Sequence, residues 1–222
     1  MANVTAAMVK ELRERTQAGM MDCKNALEES GGNMDGAAEI LMKKGQARVA
    51  KAAGKIAADG LVHAYIHQGG RLGVLVEVNS QTDFVARSEE FKTFVDDVAL
   101  QIASMAPQYV RREEIAETTL AKQREIFVAQ LAEEEAQTGK SRPEAARAKI
   151  IDGKLAKWVS EVCLVEQTSV RITDKTIQQL SDELTARTGE KIAVRRFVRY
   201  ELGEGIKTQQ ADFASEVAAM KS

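Results

Sequence analysis

The side chains that most often carry chemistry are few in this sequence, and their spacing does not favour catalysis. His63 and His67 are the only two histidines. If both lie on one strand they are roughly 13 Å apart, too far for one metal ion to bind both. Residues 139–141, Gly-Lys-Ser, match the end of a phosphate-binding loop, but that motif needs glycine at position 134, where this chain has glutamate. No GxSxG turn presents a serine nucleophile. The residues therefore indicate a protein that is not an enzyme and that holds no metal or other cofactor.

Acidic and sulfur-containing side chains do not have the spacing of metal ligands either. Glu133, Glu134 and Glu135 are consecutive, so on a helix they would point in different directions, and we expect all three in solvent. Cys23 and Cys163 stand 140 positions apart and form no CxxC motif. We expect two buried free thiols, because cysteine is among the most often buried residue types.

One short segment could recognise another molecule. Residues 82–87, Thr-Asp-Phe-Val-Ala-Arg, lie where a strand is expected to lead into a helix. Asp83 could cap this helix while Phe84 packs beneath it as a hydrophobic staple. Alternatively, Phe84 could be exposed and fill a pocket on a partner protein, because aromatic side chains dominate many interfaces. The spacing alone leaves both interpretations open.

Length and composition favour a folded, helix-rich protein of one or two domains. The chain has 222 residues, 44% of them apolar, and its 31 basic and 33 acidic residues nearly balance. This balance gives no general attraction to nucleic acid or to an anionic membrane. No apolar run approaches the ~18 residues of a membrane-spanning helix, and Lys10 and Glu11 interrupt the region where a secretory signal would be apolar. We therefore expect a cytoplasmic protein.

Residues 1–54 are predicted to form a three-helix bundle with a basic linker helix. One apolar face marks the first helix: Val4, Met8 and Leu12. Residues 16–19, Thr-Gln-Ala-Gly, are expected to end this helix, and Asp22 is the predicted cap of the second. The third helix should cover residues 34–44. A separate basic helix over residues 43–55 would then be a solvated connector or, alternatively, a phosphate-binding strip.

Residues 55–205 are predicted to form an α+β core around a small antiparallel sheet. Alternating apolar residues predict a β-hairpin over residues 61–78, with its turn at residues 68–71, and a last strand over residues 194–202. The apolar members of these strands are Val62, Ala64, Ile66, Leu72, Val74, Val76, Val78, Val198, Tyr200 and Leu202. Few strands and no repeated βα alternation argue against a Rossmann or barrel enzyme.

Helices are expected to cover the sheet. The first opens at Ser88 and carries a buried stripe: Phe91, Phe94, Val95, Val98 and Ile102. An antiparallel helical hairpin follows at about residues 113–163, with Ser141 as the cap of its second arm. The next helix is capped by Thr173 or Asp174 and ends at Gly189. A small amphipathic helix over residues 206–222 forms a C-terminal module.

Two long motifs make the chain recognisable. Residues 12–27, LRERTQAGMMDCKNAL, closely resemble the N-terminal signature of the translation elongation factor Ts family, and residues 77–86, EVNSQTDFVA, resemble its second signature. The resemblance covers essentially the whole chain in order. The sequence departs from the family pattern at three places: Gln17 replaces a usual glycine, Ser80 a frequent cysteine, and residues 168–169, Thr-Ser, a usual Pro-Phe.

The resemblance implies a fold, a partner and an activity. Family members join a three-helix, ubiquitin-associated-like domain to an α+β core that carries an antiparallel coiled-coil hairpin. They are guanine nucleotide exchange factors for elongation factor Tu, a GTPase that delivers aminoacyl-tRNA during translation elongation. By analogy, this chain would bind elongation factor Tu with GDP, displace Mg²⁺ and disturb the phosphate site, so that GDP leaves and GTP can rebind.

The resemblance also implies partner-binding residues in three parts of the chain. Those of the first motif would contact the GTP-binding domain of the partner, and those of the second would reach between its helices toward the Mg²⁺ site. The predicted C-terminal helix would add a further contact with the partner. By position in the matching motifs the residues are Arg13, Met20 and Met21, then Thr82, Asp83, Phe84 and Val85, and finally Phe213 and Met220.

A homodimer is expected, which would give a two-to-two complex with elongation factor Tu. Three strands covered by helices on one side leave an open sheet face or edge, and proteins usually cover such surfaces. The resemblance to short family members also implies that two chains pair, each supplying one half of the assembly. We expect no direct binding to nucleotide, nucleic acid or membrane.

Two other functions are compatible with parts of the sequence. The three N-terminal helices alone would fit a ubiquitin-type adaptor, which a ubiquitin pull-down would detect, but this leaves residues 110–222 unexplained. The helical hairpin alone would fit a structural coiled-coil protein, but each arm has only about two dozen residues.

Overall fold

The computed structural model describes residues 4–139 and 141–206. Within these residues the chain forms eight α-helices and three β-strands, in an α+β arrangement. In chain order they are α1 (Ala6–Thr16), α2 (Met20–Glu29), α3 (Met34–Ala53), β1 (Asp59–Ile66), β2 (Leu72–Ser80), α4 (Asp83–Ala86), α5 (Glu89–Met105), α6 (Glu117–Thr138), α7 (Glu144–Val162), α8 (Ile177–Thr188) and β3 (Ala193–Glu201). The helix predicted over residues 206–222 lies, from residue 207 onward, outside the described residues.

The first three helices close around a core of their own. Its fully buried members are Leu12, Cys23, Ala26, Leu27 and Ala37. The predicted end of α1 within residues 16–19 is confirmed: the helix ends at Thr16, the left-handed residue after it is Gln17 (φ 55°), and Gly19 is the extended residue that precedes α2. Asp22 is not the cap of α2. It lies in the first turn of that helix, where a carboxylate is favoured by the helix dipole.

α3 is a single helix of 20 residues, so the prediction of a separate basic helix over residues 43–55 is wrong. Its first half completes the bundle and its second half packs against α8. A Cβ atom on Gly45 would lie 3.3 Å from the Cβ atom of Ala186, so the two helices approach closely here. Arg48 donates to the Ala186 carbonyl oxygen (3.1 Å) and to both carboxylate oxygens of Asp22 (3.1 and 3.0 Å). This basic side chain therefore ties the bundle to the core.

The sheet has the antiparallel order β1-β2-β3, and the predicted hairpin and last strand are confirmed. His63 lies opposite Val76, and Val76 lies opposite Phe197. Gly60 has φ 136°, and a Cβ atom there would lie 2.1 Å from the Val78 carbonyl oxygen. Only glycine fits where the two strands come this close.

Two helices, α5 and α8, and the loop before β3 bury one face of the sheet. The predicted stripe of α5 is confirmed, and it packs on β1 and β2. The fully or almost fully buried members of this core include Val74, Val76, Val78, Phe91, Phe94, Val95, Val98, Ile102 and Val194. The opposite face is exposed among the described residues and is largely apolar, apart from the Glu77–Arg196 ion pair. The large apolar members of this open sheet face are Val62, Ile66, Leu75, Val198 and Tyr200.

α6 and α7 form an antiparallel helical hairpin. Arg124 pairs with Asp152, and further toward the tip Arg147 pairs with Glu135 at 2.5 Å. Glu135 is only 7% exposed, so the expectation that all three consecutive glutamates lie in solvent is wrong for this one. The Arg147 guanidinium holds the pKa of the Glu135 carboxyl below its usual value.

Two further predicted helix caps are wrong. α7 begins after Pro143 without a side-chain cap, so Ser141 does not cap it. α8 is capped by Thr176 rather than by Thr173 or Asp174, in a reciprocal arrangement with Gln179: the Thr176 hydroxyl accepts from the Gln179 backbone N–H (3.2 Å), and the Gln179 side chain accepts from the Thr176 N–H (2.8 Å). The predicted end of this helix at Gly189 is confirmed.

Candidate functional site

Phe84 stands out on a short turn between the sheet and α5, here called the Phe84 turn (residues 81–88). Its side chain is 80% exposed, so the interpretation of Phe84 as a buried staple is wrong. The next residues in α4 point the other way: Ala86 is buried, and Val85 is half-buried against the core. A large apolar ring in water contributes nothing to folding, and an exposed ring on an ordered turn is suited to binding another protein.

The Phe84 turn is held by hydrogen bonds at both ends. The Ser80 hydroxyl donates to the Thr82 carbonyl oxygen (2.9 Å), and the Ser88 hydroxyl donates to the Val85 carbonyl oxygen (2.7 Å). Ser88 is also the cap of α5, accepting from the Phe91 N–H at 3.3 Å. The turn is therefore fixed to β2 on one side and to α5 on the other.

Asp83 and Thr82 have distinct roles in this turn. Thr82 occupies the N-cap position just before α4, but its hydroxyl makes no hydrogen bond to that helix. Its N–H and its hydroxyl both donate to the Glu190 carboxylate, at 3.0 and 2.7 Å. Asp83 is in the first turn of α4 and pairs with Arg87 at 2.8 Å, with 43% of its side chain exposed. A partly exposed carboxylate thus lies beside the Phe84 ring.

A second exposed apolar group lies at the start of α2. Met20 is 56% exposed and Met21 is 66% exposed, although the following residues Cys23 and Leu27 are fully buried in the bundle core. Arg13, on α1, is also exposed. Methionine side chains are flexible and adapt to partner surfaces, so this end of the bundle can bind another protein.

The structure thus places the sequence-predicted residues in two groups. Residues 82–85 share one turn of the core, whereas Arg13, Met20 and Met21 share one end of the bundle. The two groups are connected through α3, because Lys191, next to Glu190, donates from Nζ to the Ala53 carbonyl oxygen at 2.8 Å. The remaining two predicted residues, Phe213 and Met220, lie outside the described residues.

Comparison with known proteins identifies the family. The family model described as Elongation factor TS matches residues 3–204. The chain belongs to the elongation factor Ts family. An elongation factor Ts from Desulforamulus reducens is 53% identical over 219 residues, covering 99% of this chain and 98% of that protein. The elongation factor Ts proteins of Carboxydothermus hydrogenoformans and Geobacter metallireducens are 53% and 52% identical, and each alignment covers 97% or more of both chains.

The structure of this elongation factor Ts family member explains one departure from the family pattern. Gln17, which replaces a usual glycine, has φ 55°. Glycine adopts this left-handed conformation without strain, which accounts for its usual presence at this position. Here the Gln17 side chain donates from Nε2 to the Glu14 carbonyl oxygen at 2.9 Å. This local hydrogen bond helps the larger residue to stay in the conformation that glycine would take freely.

Sequence reasoning missed Glu190 and Ile56. Glu190 stands 108 positions from Thr82, and no periodic pattern indicates that the two residues meet. Ile56 follows α3 and is the most exposed large apolar residue in the described part of the chain, at 86%. Its exposure could have been suspected, because it stands alone between lysine and alanine outside any apolar stripe.

Both thiols of this family member are buried, which disfavours the reactive thiolate form. Cys23 and Cys163 are free and buried, as predicted. Burial raises the pKa of the Cys163 thiol to about 11, and burial also raises the pKa of Cys23. Among the described residues, no cluster of three or more histidine, cysteine, aspartate or glutamate side chains has the geometry of a metal site. None of the described helices is long and apolar enough to cross a bilayer.

Proposed function

We propose that this protein is the guanine nucleotide exchange factor of elongation factor Tu. It binds the GDP form of that GTPase and promotes GDP release, after which GTP rebinds and translation elongation continues. The observation that carries the proposal is the exposed Phe84 ring on a fixed turn, beside the partly exposed Asp83 carboxylate, in a member of the elongation factor Ts family. The protein makes and breaks no covalent bond in this role, so it is not an enzyme in the chemical sense.

Thermodynamic linkage gives the physical basis of the exchange. A protein that does not touch the nucleotide must bind the nucleotide-free or Mg²⁺-free partner more tightly than the loaded partner. GDP then weakens the binding of this protein by the same factor by which the protein weakens the binding of GDP. A factor of 10³ requires about 4 kcal/mol of differential binding energy. One buried aromatic side chain and its neighbours can supply an energy of this order.

An exposed ring beside a partly exposed carboxylate supports a role of the Phe84 turn in displacing the metal ion. In the proposed complex, Phe84 and Val85 enter between helices of the GTP-binding domain, and Thr82 and Asp83 approach the groups that ligate Mg²⁺. Arg13, Met20 and Met21 make a separate contact with the same domain, and residues 206–222, around Phe213 and Met220, add a third. The protein itself binds neither nucleotide, nucleic acid nor membrane, and it acts in the cytoplasm with elongation factor Tu.

The domain organisation fits a docking module joined to an exchange module. Residues 1–54 form the docking module, which corresponds to a ubiquitin-associated-like bundle. Residues 55–205 form the exchange module, with α6 and α7 as its coiled-coil hairpin. The bundle has a core separate from that of the sheet, which supports this division.

A release experiment tests the exchange function. Elongation factor Tu is loaded with a fluorescent GDP, and the release rate is followed with and without this protein at several Mg²⁺ concentrations. We expect faster release, with the largest acceleration at moderate Mg²⁺ and less at high Mg²⁺, because excess metal opposes its displacement. No acceleration at any Mg²⁺ concentration would refute the exchange function. Acceleration that does not depend on Mg²⁺ would refute displacement of the metal ion.

We further propose that two copies of the chain pair through the open sheet face. Five large side chains on this face are exposed on one chain, among them Tyr200 at 74%. Pairing of two such faces would bury them together and would give a two-to-two complex with elongation factor Tu. The chain mass is 24.3 kDa, so light scattering at micromolar concentration should give twice this value.

A charge on the open sheet face provides the matched test. Ile66→Lys places a charge in the proposed interface, and it should return the mass to that of one chain. Val128→Lys makes the same kind of change at an exposed apolar residue of α6 and should leave the dimer intact. A wild-type mass of one chain would refute the dimer, and a dimeric Ile66→Lys variant would refute this interface.

A further inference from the structure

The loop between α8 and β3, here called the anchor loop (residues 189–192), is held rigidly to the core. The Ile192 N–H donates to the Thr185 hydroxyl at 3.2 Å, and the Ser181 hydroxyl donates to the Ile192 carbonyl oxygen at 2.9 Å. Both hydrogen bonds are buried, and the Ile192 side chain is buried in the main core. Groups presented by this loop are therefore held in fixed positions.

Glu190 of the anchor loop binds the base of the Phe84 turn. Its carboxylate accepts the two donors of Thr82, the backbone N–H at 3.0 Å and the hydroxyl at 2.7 Å. Hydrogen bonds to a charged acceptor are stronger than those between neutral groups. The Glu190 side chain is half-buried, which reduces competition from water.

The Phe84 turn depends on such contacts because α4 cannot hold itself in place. α4 has four residues, and a helix of this length is unstable alone. Thr82 uses its hydroxyl to reach Glu190 and does not cap α4 with it. Without Glu190, the N–H and the hydroxyl of Thr82 would lose their partner, and Thr82 would keep only the hydrogen bonds that its carbonyl oxygen accepts from Ser80 and Ala86.

The anchor loop also contacts the chain that leads from the bundle. Lys191 donates to the Ala53 carbonyl oxygen at the end of α3 (2.8 Å). Two residues after the end of α3, Lys55 donates to the Gln81 side chain at 3.4 Å, at the start of the Phe84 turn. The anchor loop is thus the place where the Phe84 turn and the end of the bundle are held together.

We propose that Glu190 is a positioning residue for partner binding, which fixes the Phe84 turn so that the Phe84 ring enters the partner in one orientation. This proposal rests on the proposed exchange function. Glu190 acts through Thr82 and need not touch the partner. Its removal lowers exchange because the turn must then be ordered at the moment of binding.

Glu190→Gln tests the proposal with little change in size. The glutamine carbonyl can accept from the Thr82 N–H and the glutamine amide can donate to the Thr82 hydroxyl, so both contacts can form, but the charged acceptor is lost and both hydrogen bonds become weaker. Amide hydrogen exchange of the free protein should become faster in residues 81–88 and stay unchanged in α5. Stimulated GDP release should fall roughly 5- to 10-fold, since the difference between a charged and a neutral hydrogen-bond acceptor is of this order. Glu125→Gln, an exposed glutamate of α6, makes the same change away from the turn and serves as the control.

A double-mutant cycle separates positioning from a general effect on the fold. If Glu190 acts through the Phe84 ring, Glu190→Gln should change GDP release less than about twofold when Phe84 is already alanine. Additive losses in the cycle, or unchanged hydrogen exchange in residues 81–88, would overturn the proposal. Thr82→Val removes one of the same hydrogen bonds from the other side, and it replaces Glu190→Gln if that variant does not fold. A wild-type chain that fails to accelerate GDP release would refute the exchange function instead, and hydrogen exchange would still decide whether Glu190 holds the turn.

Discussion

Replacement of Phe84 by alanine separates a binding role from a folding role. In the free protein about one fifth of the side chain is in contact, because 80% of it is exposed. A fully buried Phe→Ala change costs about 3–5 kcal/mol, so Phe84→Ala should cost roughly 1 kcal/mol or less. For a chain of this length that is a fall in melting temperature of at most about 2–4 °C. Phe91, which is fully buried in α5, is the contrast: Phe91→Ala should lower the melting temperature by roughly 6–20 °C.

The cost for binding should be larger. Burial of an exposed phenylalanine side chain contributes about 1.5–3 kcal/mol, and the exposed 80% of Phe84 corresponds to roughly 1.2–2.4 kcal/mol. At 1.36 kcal/mol for each factor of ten, Phe84→Ala should weaken stimulated GDP release by roughly 8- to 60-fold. Phe84→Leu keeps an apolar group in place and should lie between the wild type and Phe84→Ala.

Two measurements on each variant check this reasoning: thermal unfolding of the free protein, and release of a fluorescent GDP from elongation factor Tu. A fall in melting temperature as large as that of Phe91→Ala would show that the ring supports the fold. Unchanged GDP release with an unchanged melting temperature would show that the exposed ring does not bind the partner. Either result would refute the role given to Phe84.

Three further predictions concern other parts of the chain. Met20→Ala should weaken binding to elongation factor Tu in a titration without lowering the melting temperature. Met42 is equally exposed (59% against 56%), and Met42→Ala should leave binding unchanged. Equal effects of the two changes would contradict the role of α2. The guanidinium groups of two neighbouring arginines on β3 lower the pKa of Glu77 to about 2, so its stabilisation is present above pH ~4.3 and is lost as the pH falls toward 2. The free energy of unfolding should therefore fall less on the acid side for Glu77→Gln than for the wild type. The same pH dependence in both proteins would argue against this role of Glu77. Arg147→Met should lower the melting temperature because it removes a partner of the buried Glu135 carboxylate. Adding Glu135→Gln to this variant should restore part of the loss. No recovery would contradict the stabilising role of the Arg147–Glu135 pair.

Local patterns were sufficient for the elements that bury a regular face. The hairpin over residues 61–78 and the stripe from Phe91 to Ile102 follow from alternation and from helical spacing, because each face packs on the main core along its whole length. The exposure of Phe84 did not follow from spacing, since a staple and a binding group need the same residue at the same position. The resemblance to the family favoured the binding role, and the structure then excluded the staple.

The features that sequence reasoning missed depend on contacts between distant residues. Glu135 is buried only because Arg147 on the facing helix pairs with it, and three consecutive glutamates give no sign of this. Three candidate caps precede α8 within four residues, and Thr176 is used because Gln179 stands at the position that returns the hydrogen bond. The continuity of α3 was missed because its second half is basic, although Gly45 there fits closely against Ala186.

The unbroken course of α3 affects how long a complex with elongation factor Tu lasts. Gly45 and Arg48 hold the bundle on α8, and Lys191 holds the end of α3, so continuous contacts join the Met20 end of the bundle to the Phe84 turn. In the proposed complex, when one of these two contacts releases the partner, the other keeps it nearby at a high effective concentration. The released contact therefore re-forms before the partner diffuses away. Two contacts that are each weak can in this way give a long residence time, and loosening the seam at Gly45 would shorten the residence time while leaving the rate of first encounter unchanged.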